Sequence, residues 1–176
     1  MMHRVVNWLE WIFRPQGAAA VAVLVGIAAL IAGYMAEYVF GLQPCILCLY
    51  QRVPFAVAIV LGGAGFWFYR RGSLRAGHLL SILTALAFLG NATLAFYHVG
   101  VEQHWWQGFD GCSTPDFKGM TAEEMRQAIM NAPEVPCDEV PWSLFGISMA
   151  GYNVLLCAAM AVYMTGVLIF RRGPRR

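Results

Sequence analysis

Charge is scarce in this sequence: only 12 % of its 176 residues are Asp, Glu, Lys or Arg, about half the share usual for a soluble domain. No stretch has the composition of a flexible linker or a low-complexity tract, so there is no reason to divide the chain. Histidine is nearly as scarce, with four in all, and no obvious haem-ligand set lies in the apolar segments. The alternation of strands and helices that marks an α/β domain is missing too. These absences exclude a soluble enzyme, a multidomain assembly and a haem-based electron carrier.

What the chain has instead is apolar length. Hydrophobic residues make up 59 % of it, and the mean hydropathy is +0.57. A membrane-spanning helix takes roughly 20 mostly apolar residues, and four segments qualify: Gly17 to Phe40, Cys45 to Tyr69, Leu74 to Val99 and Trp142 to Phe170. The first covers 24 residues and three more follow, so it reads as a retained helix; a cleaved secretory signal has an apolar core of about 7–15 residues. The expected fold is all-α: a single polytopic membrane domain over residues 1–176, an antiparallel four-helix transmembrane bundle. Each backbone polar group in lipid must be satisfied within its own helix, which favours this solution. Gly146 and Ala150, four residues apart, are candidate small residues for close helix packing.

The few charges are sorted by position. Arg4 and Arg14 precede the first span, Arg70, Arg71 and Arg75 join the second to the third, and Arg171, Arg172, Arg175 and Arg176 end the sequence. Residues 100–141 carry Glu102, Asp110, Asp116, Glu123, Glu124, Glu134, Asp138 and Glu139 against Lys118 and Arg126. Basic short loops stay cytoplasmic, which puts both ends and the Arg70–Arg75 turn inside and the long acidic loop outside. The net charge of +2 conceals this split, gives no argument for nucleic acid, and leaves the lipid bilayer as the expected surroundings. Within the loop, Thr121-Ala122-Glu123-Glu124 is a capping-box pattern, followed by Met125, Ala128, Ile129 and Ala132 at helical spacing. A short amphipathic helix over Thr121 to Asn131 is expected, resting on the membrane or the bundle. Flanking proline and glycine would leave Cys112 and Cys137 on mobile arms.

Four of the five cysteines fall on the outer side: Cys45 and Cys48 at the head of the second span, Cys112 and Cys137 in the loop. Cys157 lies mid-span in the fourth and reads as a small packing residue. A structural zinc site wants four ligands, usually as two close pairs, but Cys112 and Cys137 are 25 residues apart with no histidine suitably spaced. Covalent haem attachment needs histidine directly after the second cysteine, where Leu49 stands. A thioredoxin-like site needs a βαβ setting. What remains is a redox dithiol on a membrane helix. Pro44 should start that helix, placing both thiols in its first turn, where unpaired N–H groups favour a thiolate. Cys45, Cys48 and Arg52 then fall within an arc of roughly 60°.

Arg52 either stabilises a thiolate or bound oxygen, or snorkels to the headgroups. His98 is either a boundary histidine or a donor near the thiols. Glu37 either pairs with Arg52 or reaches the headgroups, and both readings stay open. Trp105 and Trp106 suit an interfacial aromatic belt. A helix-anchored dithiol and a loop dithiol on one side suggest disulfide exchange, which moves two electrons at a time. A membrane quinone is the natural two-electron acceptor.

"PCILCLYQR" opening the second of four spans, "YHVGVEQHWW" after the third, a loop cysteine pair and "WSLFGISMAGYN" opening the fourth resemble the DsbB disulfide-bond formation proteins. The resemblance runs from about Gly17 to Phe170. It implies a bacterial inner-membrane protein-disulfide:quinone oxidoreductase that reoxidises a periplasmic DsbA-like thioredoxin-fold oxidase and delivers the electrons to ubiquinone or menaquinone. It further implies redox-active disulfides Cys45–Cys48 and Cys112–Cys137. Cys112 would form the mixed disulfide with the partner, Cys137 would relay to Cys45, and Cys48 would be the thiolate beside the quinone. Arg52 and His98 match the quinone-associated positions.

Two other readings compete. A vitamin K epoxide reductase-like enzyme also couples a C-x-x-C to a quinone, but there the C-x-x-C follows the shuttle cysteines, the reverse of this order. A non-enzymatic tetraspan with a structural loop disulfide would leave Cys45, Cys48 and Arg52 without a role.

Overall fold

The computed structural model describes residues 10–109, 112, 119–130 and 135–170. Arg4, Asp110, Asp116, Lys118, Glu134 and the terminal arginines Arg171, Arg172, Arg175 and Arg176 lie outside the described residues, as does Asn131, the expected end of the loop helix.

Four long helices dominate: α1 (Pro15–Tyr38), α2 (Ile46–Arg70), α3 (Leu74–Glu102) and, after the loop, α5 (Met149–Phe170). All four are long and apolar enough to cross a membrane. They form the antiparallel bundle, with α1 against α2, α2 against α3 and α3 against α5, while α1 and α5 meet only lightly. Small residues permit the close crossings. A side-chain carbon at Gly62 would lie 3.2 Å from the Ala19 carbonyl oxygen, and one at Gly26 would lie 2.8 Å from Ile59 Cγ1. Such approaches substitute for the hydrophobic driving force that lipid cannot supply. Phe55, Phe88, Cys157 and Met164 fill the middle of the bundle, all buried.

The fourth span begins later than Trp142. Ser143–Leu144 and Ile147–Ser148 form a two-stranded antiparallel hairpin, β1 and β2, before α5 starts at Met149. Its turn has φ +51° at Phe145 and +77° at Gly146, the left-handed pair that a two-residue hairpin loop demands. Gly146 is therefore a turn residue with nothing within 4 Å of a virtual Cβ, not a helix-packing residue, although Ala150 is buried. At the other end of the loop, α3 continues past Val99 to Glu102. Trp106 then folds back, donating its indole N–H to the Tyr97 carbonyl at 3.0 Å and lying against Gly100, where any Cβ would collide with the ring.

Helix α4 spans Ala122–Met130, capped as its sequence predicts. The Thr121 hydroxyl accepts from the Glu124 N–H, and the Thr121 N–H and hydroxyl both donate to the Glu124 carboxylate at 2.8 Å. These two donors hold the Glu124 carboxyl below the usual glutamate range, the backbone N–H having the larger effect.

Candidate functional site

Pro44 does not enter α2: Cys45 is the N-cap, with φ −72° and ψ 170°, and the helix starts at Ile46. The Cys45 sulfur takes the position of an N-cap oxygen, accepting from the Cys48 N–H at 3.4 Å. One turn brings the two sulfur atoms to 3.1 Å, both as free thiols. An unpaired N–H thus serves as a local donor to sulfur.

Cys112 and Cys137 are bonded to each other and fully buried, with the Cys137 N–H donating to the Cys112 carbonyl at 2.6 Å. They pack in one cluster with Cys45, Leu47 and Val101. The two cysteines expected on mobile arms are instead docked against the bundle. The apolar surface offered by α2 and α3 draws the disulfide inward, beside the first thiol of the helix pair.

Two cavities flank that pair. A small one, about 120 Å³, is lined by Cys45, Cys48, His98, Glu102 and the loop residues Val135 and Glu139. A larger one, about 500 Å³, opens between α1, α2 and α5, with Cys48, Gln51, Arg52, His98 and Asn153 at its polar end. Its remaining wall includes Leu30, Phe55, Trp142 and Leu156. Cys45 therefore faces the loop, whereas Cys48 lies between both spaces. A site with a few converging polar groups on an apolar cleft suits a ring with polar oxygens and an apolar tail.

Arg52 forms an ion pair with Glu37 at 2.7 Å and sits over the Tyr34 ring at 4.7 Å. This selects one of the two readings left open for Glu37. It also explains how a guanidinium is tolerated at this depth, since intramembrane charges pair inside the bundle. The pair uses one edge of the five-donor fork, and Arg52 still lines the cavity.

His98 is buried, with Nε2 3.5 Å from the Cys45 sulfur and Nδ1 2.9 Å from Gln51 Nε2. Nε2 is also 3.9 Å from Glu102, whose other oxygen accepts from the Ser148 hydroxyl at 2.5 Å. The β-hairpin thereby holds the carboxylate beside the histidine. Gln51 accepts in turn from Asn153 at 2.5 Å. Asn153 accepts from the Cys157 thiol at 3.1 Å, and Cys157 accepts from Asn91 at 3.4 Å. Cys157, read from the sequence as simple packing, is a member of a buried polar chain. Gln51, Asn91, Asn153 and Ser148 are site neighbours that the sequence reading passed over. Their signal was a neutral polar side chain at membrane depth, where an unpaired group is costly.

Cys45, Cys48 and His98 place their ligating atoms within 4.8 Å of one another, the only such group among the described residues. Two thiols, an imidazole and a buried disulfide at the end of a four-helix membrane bundle define a class: helical membrane proteins built for thiol–disulfide chemistry. The family model for disulfide bond formation protein DsbB matches residues 8–167, and the chain belongs to that family. Among curated relatives, disulfide bond formation protein B 2 of Pseudomonas fluorescens is 30 % identical over 140 residues, covering 78 % of this chain and 75 % of its own. Disulfide bond formation protein B of Albidiferax ferrireducens is 27 % identical over 179 residues, covering 98 % and 96 %. An uncharacterized protein of Rickettsia prowazekii is 28 % identical over 154 residues, covering 85 % of each chain. No solved structure gives a significant match.

Proposed function

We propose that this chain is a protein-disulfide:quinone oxidoreductase of a bacterial inner membrane, with the cysteine end of the bundle facing the periplasm. Its electron donor is a DsbA-like thioredoxin-fold dithiol oxidase, and its acceptor is ubiquinone or menaquinone. One observation carries the reading: the helix pair stands between the loop disulfide, packed against Cys45, and the apolar cavity lined by Cys48 and Arg52.

The exchange follows from thiolate attack on a disulfide sulfur. A partner thiolate attacks Cys112, breaking its bond to Cys137, which leaves as a thiolate. Cys137 attacks Cys45 in an oxidised helix pair, and Cys48 leaves as a thiolate at the end of the larger cavity. The second partner thiolate then closes the partner's own disulfide and releases Cys112 as a thiolate, and Cys112 attacks Cys137 and releases Cys45 as a thiolate. When the partner is oxidised and the Cys112–Cys137 bond is restored, both electrons rest on Cys45 and Cys48. A bonded loop pair beside two free helix thiols supports this order of exchange.

Arg52 and the polar end of the larger cavity suit a quinone head, and the apolar wall suits its tail. A bound quinone accepts two electrons and two protons, the number that two thiols release on closing a disulfide. Arg52 offers its remaining N–H donors to the head, while both ring nitrogens of His98 are already engaged by the protein. His98 therefore acts on Cys45 more directly than on the cofactor. Turnover is tested with purified protein, a reduced thioredoxin-fold partner and ubiquinone. Quinone reduction is expected to vanish in Cys45→Ser and Cys112→Ser; undiminished reduction in both sinks the relay.

A further inference from the structure

We infer that Gln51 and Asn153 are positioning residues that fix His98 in the tautomer with its proton on Nε2, aimed at the Cys45 sulfur. The inference rests on the proposed relay only for its consequence; the tautomer is a property of the reduced chain by itself.

The direction follows from the donor inventory. A thiol has one proton to give, and Cys157 lies 3.1 Å from Asn153 Oδ1. With that oxygen accepting, the Asn153 amide nitrogen faces Gln51 Oε1 at 2.5 Å. The Gln51 amide nitrogen is thereby turned toward His98 Nδ1 at 2.9 Å. An amide N–H can only donate, so Nδ1 must present its lone pair. In the neutral ring the single proton then resides on Nε2. That nitrogen faces two acceptors, the Cys45 sulfur at 3.5 Å and Glu102 at 3.9 Å, and neither needs a lone pair opposite it. Both ends of the ring agree on one tautomer. The chain is carried by three helices, Asn153 and Cys157 on α5, Gln51 on α2 and His98 on α3, so the packing of the bundle sets it.

The consequence is chemical. A proton on Nε2 stabilises Cys45 as thiolate, the form that attacks when the Cys45–Cys48 disulfide closes. On closing, the Cys45 thiolate attacks the Cys48 sulfur to form the S–S bond, and the two electrons and the Cys48 thiol proton would pass to a bound quinone. A lone pair on Nε2 would instead hold Cys45 as the thiol. Among the described residues, the other ionisable groups around this centre are Cys48 on α2, Glu102 on α3, Glu139 in the loop, Tyr152 on α5 and the Arg52–Glu37 pair joining α2 to α1; α5 contributes no charged residue.

Two readouts on the chain with its helix pair reduced and its loop disulfide intact, in detergent without partner or quinone, test this. In ¹⁵N-histidine-labelled protein, His98 should show an unprotonated Nδ1 and a protonated Nε2 at neutral pH; a proton on Nδ1 in the neutral ring overturns the proposal without any variant. The second readout is pulse alkylation of Cys45, followed by mass spectrometry across pH. Asn153→Asp presents only acceptors to Gln51, which turns, offers its oxygen to His98 and draws the proton to Nδ1. Gln51→Leu removes the constraint. Each should slow Cys45 alkylation at neutral pH by at least about tenfold, whereas Cys157→Ser, which keeps a donor, should remain close to the parent rate. Parent-like alkylation in both Asn153→Asp and Gln51→Leu overturns the inference. Because neither readout involves electron delivery, a failed quinone assay and a failed tautomer assignment are separable results.

Discussion

Cys45 and Cys48 meet across one helical turn, whereas Cys112 and Cys137 meet across 25 residues of loop. Helix geometry alone determines the first meeting, and any sequence that starts α2 at Ile46 reproduces it. The second depends on an apolar seat formed by Leu47 and Val101 and on a backbone bond between the two cysteines. One pair is thus held by a rigid element beside a cavity, the other by a docked segment. The difference suits a rigid pair to a buried acceptor and a docked pair to an incoming protein.

The sharpest way to break this contrast is to silence each pair in turn. Cys48→Ser should abolish quinone reduction whatever the donor. Cys112→Ser should abolish only partner-driven reduction, leaving turnover when a small dithiol is supplied directly. Measured rates for both donors check this; equal loss with both donors in Cys112→Ser would erase the division of labour. Next in size, Arg52→Ala removes a cation from the cavity wall and leaves Glu37 without its partner. The apparent KM for quinone should rise about tenfold, equivalent to about 1.4 kcal/mol, with kcat largely kept. An unchanged KM would confine Arg52 to its pairing with Glu37.

A smaller effect is expected at the hairpin. Gly146→Val places a β-branched residue at φ +77°, at a cost of about 1–2 kcal/mol. The thermal midpoint should fall by roughly 2–4 °C per kcal/mol. The smallest effect concerns α4. Because Glu124 is held below its ordinary value, its capping contribution is present above the usual glutamate pKa of about 4.3 and is lost as pH falls through the lowered value. Amide exchange over Ala122–Met130 should quicken at that acidic end in the parent chain, and already at neutral pH in Glu124→Gln.

The bundle was legible because lipid leaves few options: long apolar runs must be helices, and short connections must reverse them. Cys45, Cys48 and Arg52 were legible because helical periodicity is local. Where the reading departed, distant parts of the chain decided the outcome. Trp142 to Ser148 is apolar enough to join a span, yet the Phe145–Gly146 turn diverts it into a hairpin that brings Ser148 to Glu102. Proline and glycine around the loop cysteines suggested freedom, while the seat on α2 and α3 imposed burial. Asn91, Gln51 and Asn153 stand far apart in sequence, so no periodicity could link them. The helix start was placed two positions early, at Pro44 rather than Ile46, because a cysteine occupies the N-cap, a place where the sequence rules look for oxygen.

Full burial of Cys112 and Cys137 also bears on leakage. If the chain works as proposed, any small thiol able to reach a loop sulfur would pass electrons to the quinone without making a client disulfide. In-line attack on a sulfur requires an open approach, and here the approach is closed by the chain's own packing. On the proposed relay, entry through the loop pair is then reserved for a reductant with enough binding energy to lift the loop from α2 and α3. A small dithiol is left only the slower route through the helix pair. The loop is in this sense an insulator, and the selectivity of the wire is decided by what can strip it.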